Sequence, residues 1–212
     1  APSPINRRRT LARKENSPIN QELEKLKEEI QTLPCHLKEN KNMILSSGDF
    51  NSPLMFIGEA PGEEENQQKT LFVGSSGELL NKMLEAIAVD RSKVYVTNVF
   101  FWWPEQNRMP TQRELALSFP LVEKHILLQN PQLIVTLGAV AAKTLLKITE
   151  GILQVRGTVQ ELVIGNKKFP VFIACHPSYI LKTHKIGEYL EDFKNIQAYL
   201  KTNEIYPLVH KN

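Results

Sequence analysis

Short, nearly uninterrupted apolar runs, each closed by a glycine, a proline or a polar group, alternate along this chain with longer amphipathic segments. Leu54-Met55-Phe56-Ile57-Gly58, Val94-Tyr95-Val96-Thr97-Asn98, Leu133-Ile134-Val135-Thr136-Leu137 and Val171-Phe172-Ile173-Ala174 are of the first kind. Runs of this length, rich in β-branched and aromatic residues and bounded by turn formers, predict strands buried on both faces. Ser17-Pro18 ahead of Ile19, Leu23, Leu26 and Ile30 predicts a helix with a serine cap, a proline at its first position and one apolar face. Gly77 to Ala88 predicts a second helix burying Leu79, Leu80, Met83, Leu84 and Ile87; Ala139 to Ile148 and Glu188 to Leu200 predict two more. Thr111 to Leu128 reads as one helix or two, because Pro120 interrupts it. The runs Thr158–Val163 and Phe169–Ile173 flank Gly165-Asn166, a hairpin signal. Strands alternating with helices predict an α/β fold, a three-layer α/β/α sandwich around a central, mostly parallel sheet.

In such a sheet, ligands bind beyond the carboxyl ends of the strands. Three of the predicted strands end in side chains able to do chemistry: Glu59 after the first, Asn98 at the end of the second and His176 after the last. The first strand breaks into Gly58-Glu59-Ala60-Pro61-Gly62-Glu63-Glu64-Glu65-Asn66, an acidic turn that alone reads equally well as a solvated loop. Three such ends on one edge of a parallel sheet point to a single crevice.

Composition narrows the picture. At 212 residues with 42% apolar content, the chain suits one domain with a substantial core. No apolar run reaches the length of a membrane span, and no apolar segment precedes a cleavage signal, so a cytoplasmic protein with no membrane partner is expected. The net charge of +3 is unremarkable, but Arg7-Arg8-Arg9, Arg13 and Lys14 cluster in residues 1–16, ahead of a single domain spanning 17–212. Such a leader is expected to be flexible, and serves either as a phosphate-binding arm or as a solvated tail. Two separated cysteines, Cys35 and Cys175, argue against a structural disulfide.

Further motifs lie in order between these strands: Leu71-Phe72-Val73-Gly74-Ser75-Ser76-Gly77, Asn107-Arg108-Met109-Pro110, Thr136-Leu137-Gly138-Ala139-Val140-Ala141 and His176-Pro177-Ser178-Tyr179. Together with Gly58-Glu59-Ala60-Pro61-Gly62 and Thr97-Asn98, they closely resemble the uracil-DNA glycosylase superfamily, and within it the family-four enzymes, over roughly residues 50 to 200. The resemblance implies base flipping and hydrolysis of the N-glycosidic bond of uracil in DNA, by a monofunctional enzyme expected to be a monomer. It places Gly58, Ala60, Pro61, Phe72 and Asn98 at the base, with Phe72 stacking on uracil and Asn98 reading its edge. An amide carries the acceptor and the donor that match uracil N3–H and O4, whereas cytosine presents a bare N3 and an amino group. His176 would donate to the O2 of the departing uracil anion, and Glu59 and Glu65 would supply negative charge, Glu59 near the base and Glu65 near the sugar. Gly74, Ser75, Ser76 and Gly77 would offer helix-terminal N–H groups to a phosphate, and Asn107, Arg108, Pro177, Ser178 and Lys182 would contact the DNA backbone.

The sequence departs from the patterns of the superfamily in four places. Ala60 stands where other branches of the superfamily carry a catalytic Asp; Asn66 replaces the Asp that usually ends GEAPG-x-x-E-D; Lys182 stands where Arg is usual. Family-four enzymes hold an iron-sulfur cluster on four thiolates, and the matching positions here are Thr32, Cys35, Trp102 and Ser118. No metal and no cofactor is therefore expected, with Phe101-Trp102-Trp103 either filling the vacated volume or forming a surface that stacks on DNA. Two competing readings remain open: a degenerate member that holds uracil-containing or single-stranded DNA without cutting it, and an enzyme acting on free uridine compounds.

Overall fold

The computed structural model describes residues 17–205; the basic leader, residues 1–16, lies outside the described residues. In chain order the elements are α1 (Pro18–Gln31), β1 (Ser46–Gly48), β2 (Leu54–Gly58), α2 (Glu63–Gln68), α3 (Gly74–Ala86), β3 (Tyr95–Asn98), α4 (Gln112–Gln129), β4 (Leu133–Leu137), α5 (Ala139–Leu146), α6 (Ile152–Val155), β5 (Val159–Ile164), β6 (Lys167–Ala174), α7 (Pro177–Thr183) and α8 (Ile186–Thr202), with short 3₁₀ turns between several of them. The strands form one sheet in the order β1-β3-β2-β4-β6-β5. The four inner strands run parallel, and β1 and β5 pair antiparallel on the two edges.

The inner strands are apolar on both faces because both are covered. Leu54, Phe56, Val96, Val135 and Phe172 pack against α3 and α8 through Leu80, Leu84, Phe193 and Ile196. Met55, Ile57, Tyr95, Ile134 and Val171 face the other way, onto α1 and α4 through Leu26, Ile30, Val122 and Ile126. The result is the expected three-layer α/β/α arrangement.

Local chemistry sets the element ends. Ser17 caps α1, its hydroxyl accepting from the Asn20 N–H at 3.2 Å, with Pro18 at the first helical position. α4 is a single helix that runs through Pro120, and it starts in a reciprocal capping box between Thr111 and Glu114. Pro120 and Ala116, whose carbonyl the proline leaves without a donor, are both exposed, so water can satisfy that group. The β5–β6 hairpin turns on Gly165-Asn166, with Gly165 at φ 60°.

Two segments expected as loops are helical. α3 begins at Gly74, three residues before Gly77, so the glycine-serine turn is itself the first helical turn. Pro177 and Ser178 open α7, where proline suits the first position and His176 serves as the N-cap. The acidic turn after β2 likewise closes into α2, its first turn holding Glu63, Glu64 and Glu65, which favours a helix N-terminus.

Candidate active site

The chain runs from β2 outward to β3 and then crosses to β4 on the other side, so the strand order reverses beside β2. A cleft of about 460 Å³ opens there, at the carboxyl ends of the strands. Its walls include Glu59, Ala60, Pro61, Glu65, Phe72, Gly74, Ser75, Ser76, Asn98, Asn107, Arg108, His176, Ser178 and Lys182. Gly58, Gly77 and Pro177 do not line it and act from behind. Pro104 lines it without belonging to any of the motifs, and Leu71 lines it although its motif assigned it no role.

Parallel pairing sets Gly58 directly beside Asn98 across β2 and β3. A Cβ on residue 58 would stand 2.7 Å from Asn98 Oδ1 and 2.9 Å from Phe72 Cζ, so glycine is what allows the amide and the ring to approach each other. Asn98 is 2% exposed and its Oδ1 has no hydrogen-bond partner. A buried acceptor left open in this way costs free energy in the unliganded protein and is satisfied by a ligand donor. Phe72 sits at φ 51°, a left-handed conformation that disfavours a bulky residue by roughly 1–2 kcal/mol. Gly77 holds it there: a side chain on Gly77 would fall on the Phe72 carbonyl.

The Phe72 ring lies 6.0 Å, centroid to centroid, from the His176 imidazole. The Ser178 backbone N–H donates to His176 Nδ1 at 3.1 Å, and the Ser178 hydroxyl lies 2.8 Å from the same nitrogen. Because Nδ1 accepts from a backbone N–H, the neutral ring carries its proton on Nε2. Burial lowers the His176 pKa to about 4, so the imidazole is neutral at ordinary pH and still has one N–H to offer. Gly138, at φ 99°, packs against the His176 backbone and Cβ, a Cβ there standing 2.9 Å from His176 Cβ. The T-L-G motif contained this residue, but its service to the histidine is visible only in three dimensions.

Burial raises the pKa of Glu59 and of Glu65, the second also pushed up by the neighbouring Glu64. Asn66 is turned away to the protein: its Oδ1 accepts from the Asn42 N–H at 2.9 Å, and its carbonyl accepts from the Asn42 side-chain amide at 2.6 Å. The position is thus a staple between α2 and the segment before β1. Glu64 closes over the start of α3, its Oε2 lying 3.0 Å from where a Gly74 Cβ would be. Arg108 forms a two-pronged pair with Glu114, at 2.7 and 3.2 Å, while Lys182 is exposed at the end of α7.

The positions matching the family's four thiolates do not fit an iron-sulfur cluster. Thr32 is exposed and its hydroxyl donates to the Glu29 carbonyl at 2.6 Å. Trp102 is fully buried, packing edge-on against Phe100 and Phe101 at 5.7 and 6.3 Å, and Ser118 is fully buried beneath the same face. Cys35 belongs to the core on this face of the sheet and Cys175 to the core on the opposite one. Trp103 is only partly buried and lies under Lys41, whose ammonium is 4.5 Å from the ring centroid.

A sequence model of the uracil DNA glycosylase superfamily matches residues 45–201, and the chain belongs to that superfamily. Within it the chain is similar to the type-4 uracil-DNA glycosylase of Sulfurisphaera tokodaii, 34% identical over 194 residues covering 88% of each chain. The type-4 enzyme of Thermotoga maritima is 34% identical over 79% of this chain and 88% of its own, and that of Archaeoglobus fulgidus 34% identical over 76% and 84%.

Proposed function

We propose that this protein is a monofunctional uracil-DNA glycosylase, which flips uracil out of DNA and hydrolyses its N-glycosidic bond to leave an abasic site. The observation that carries the reading is the meeting of an unpartnered, buried Asn98 amide, the Phe72 ring and a neutral, N–H-bearing His176 at one cleft. Uracil enters face-on to Phe72, a stacking contact worth roughly 1–3 kcal/mol. Asn98 Oδ1 accepts from N3–H and its amino group donates to O4, the pairing that cytosine cannot reciprocate.

Cleavage places positive charge on the sugar and negative charge on uracil. His176 Nε2–H meets the developing charge at O2, and being neutral it needs no deprotonated partner to do so. Glu59, near the base, and Glu65, near the sugar, supply the negative charge that stabilises the cationic ring and orients the attacking water. Ala60 offers no carboxylate for direct activation of water, so that task falls to these two. Gly74–Ser76, Asn107, Ser178 and Lys182 serve the DNA backbone around the cleft, with Arg108 acting through the loop it anchors.

Finer features of the reading follow from the same residues. The chain works without an iron-sulfur cluster, aromatic packing of Phe100, Phe101 and Trp102 standing in its place; stoichiometric iron in purified protein would overturn this. It acts as a monomer, in the compartment that holds DNA, and its basic leader adds phosphate contacts. The competing reading, a protein that holds uracil-containing DNA without cutting it, draws on Asn66, whose place in the family carries a carboxylate and whose side chain here is engaged by Asn42.

A single-turnover time course on a uracil-containing oligonucleotide, run beside a binding titration at one salt concentration, separates the two. His176→Ala should lower the cleavage rate by about 10²–10³, as expected for loss of an oxyanion donor, with a much smaller loss of affinity. Wild-type protein that binds uracil-containing DNA and never cuts it would establish the binding reading instead.

A further inference from the structure

Phe72 presents its ring to the cleft from a left-handed backbone, and a bulky residue stays in that conformation only where its surroundings fix it. The turn that carries it is short of ordinary restraint. Lys69, Phe72 and Gly74 all have positive φ, at 56°, 51° and 56°. Among the described residues, neither Leu71 nor Phe72 donates its N–H to a backbone carbonyl, and no backbone N–H donates to the Leu71 carbonyl.

What fixes the turn is a contact on each of the two peptide planes that flank Phe72. The later plane is backed by Gly77, where a Cβ would fall on the Phe72 carbonyl. The earlier plane carries the Leu71 carbonyl, which accepts from Arg91 Nη2 at 3.4 Å, and the same nitrogen donates to the Ser47 hydroxyl at 3.3 Å. Ser47 belongs to β1, the edge strand paired to β3, so the guanidinium ties the turn to the sheet. Because each peptide is planar, holding the first oxygen and backing the second leaves Phe72 little freedom in φ and ψ, and its Cα–Cβ bond is aimed with them. The ring then reaches the space that Gly58 leaves open, its Cζ 2.9 Å from where a Cβ on residue 58 would stand.

The donor is a guanidinium with no counter-ion. Asp90, its neighbour in the chain, accepts instead from the Ser92 N–H and hydroxyl, at 2.9 and 2.7 Å. Burial lowers the Arg91 pKa, and no carboxylate lies near enough to oppose the shift. A partly buried, unpaired cation is costly to keep, which asks for a task that a neutral side chain could not do. Leu71 lines the cleft and Arg91 does not, so that task is performed through the Leu71 carbonyl.

We propose that Arg91 is the positioning residue for Phe72, holding the Leu71 carbonyl to the edge of the sheet so that the left-handed turn keeps the ring in place for the base. The inference rests on the glycosylase reading and deepens it, adding a residue outside the cleft to those that set how the base is held.

The test is a double-mutant cycle on single-turnover excision from a single-stranded uracil oligonucleotide. Arg91→Met, which keeps the length and removes the donor, should lower the rate at saturating protein about tenfold, and Arg91→Lys should recover part of the loss. In a Phe72→Ala background the same Arg91→Met change should cost less than about twofold, because no ring is left to aim. An equal loss with and without the ring would overturn the proposal, as would a loss matched by weaker binding of a uracil-free oligonucleotide, which would place Arg91 on the DNA. A second readout is independent of excision. Chymotrypsin should cut the native protein after Phe72 about tenfold faster in Arg91→Met, with other cuts keeping their parent rates, because that bond is reached only when the turn opens. Unchanged cutting there, or equal acceleration at every site, would overturn the restraint. If Arg91→Met does not fold, Arg91→Lys carries the same comparisons with smaller losses. If the parent never excises uracil, the glycosylase reading fails, and the proteolysis still decides whether Arg91 holds the turn.

Discussion

Replacing Gly58 by alanine tests the heart of the site with a single methyl group. The new Cβ would stand 2.7 Å from Asn98 Oδ1 and 2.9 Å from Phe72 Cζ, whereas carbon contacts are comfortable only at about 3.5–4.0 Å. Neither neighbour has much room, since Asn98 is 2% and Phe72 7% exposed. Phe72 is further restrained by its left-handed backbone, so its ring must tilt away or the strand must yield. Overpacking of this kind typically costs about 1–3 kcal/mol of stability. The larger effect falls on catalysis, because a shifted ring and a shifted amide both lose their grip on the base. A loss of about 2.7 kcal/mol in transition-state binding is a hundredfold fall in kcat/KM. The assay is single-turnover excision from a single-stranded uracil oligonucleotide, with circular dichroism to confirm that the variant is folded. A double-mutant cycle sharpens it: once Phe72→Ala has removed the ring, Gly58→Ala should cost distinctly less than it does in the parent. A folded Gly58→Ala protein with the parent's excision rate would refute the placement of uracil between Asn98 and Phe72.

Three further outcomes follow from the same geometry. Asn98→Asp removes the donor to O4 and sets a carboxyl group in a buried place, so uracil excision should fall more than about tenfold, or 1.4 kcal/mol; unchanged excision by the folded variant would take Asn98 out of the pocket. Burial raises the Glu59 pKa above its ordinary 4.5, and the working form is the carboxylate, so kcat/KM should fall as pH drops through that raised value. His176, titrating near 4, adds no acid limb between pH 5 and 7, so Glu59→Gln should lower the rate and leave only the limb that Glu65, raised likewise, contributes; a limb centred near 6.5 that persists when both are replaced by glutamine would contradict these assignments. Glu64→Gln removes a carboxylate that reaches from α2 over the start of α3, where phosphate would compete for the same N–H groups, and should tighten DNA binding by a few-fold at low salt. Equal affinities of parent and variant in a titration at low salt would mean that Glu64 does not oppose the DNA.

The parallel sheet and its covering helices were legible because burial on both faces writes itself as continuous apolar runs, as in Leu133–Leu137. That Glu59, Phe72, Asn98 and His176 meet at one cleft was legible because strand ends and their motifs lie in order along the chain. What escaped was decided by tertiary contact. α2 follows the Ala60-Pro61-Gly62 turn and read as part of an acidic loop, whereas α7 opens on Pro177 directly after the last inner strand and buries Pro177 and Ile180 in the body of the protein. The uninterrupted course of α4 through Pro120 depends on which side of the helix meets solvent, and the run of residues there does not say. The Asn42–Asn66 staple and the Arg108–Glu114 pair join segments whose spacing carries no periodic signal.

That last pair bears on how the loop after β3 is held in place. The loop from Trp103 to Pro110 leaves β3 only five residues after Asn98, so any slackness in it would reach the residue proposed to read the base. Its inner end is pinned by Phe100, Phe101 and Trp102, all at most 1% exposed, on the face where α1 and α4 close the core. Its outer end is pinned by Arg108 on Glu114, and Glu114 belongs to the first turn of α4, which packs on α1 through Leu121, Val122 and Leu26. Two noncovalent restraints therefore hold the loop, an apolar anchor within the core and a bidentate ion pair at its edge. The apolar anchor is insensitive to salt and pH, whereas the ion pair has its guanidinium partly in solvent and contributes less on its own. Loosening the outer end should therefore disturb duplex DNA, which meets the rim, before it disturbs a base already seated between Phe72 and Asn98.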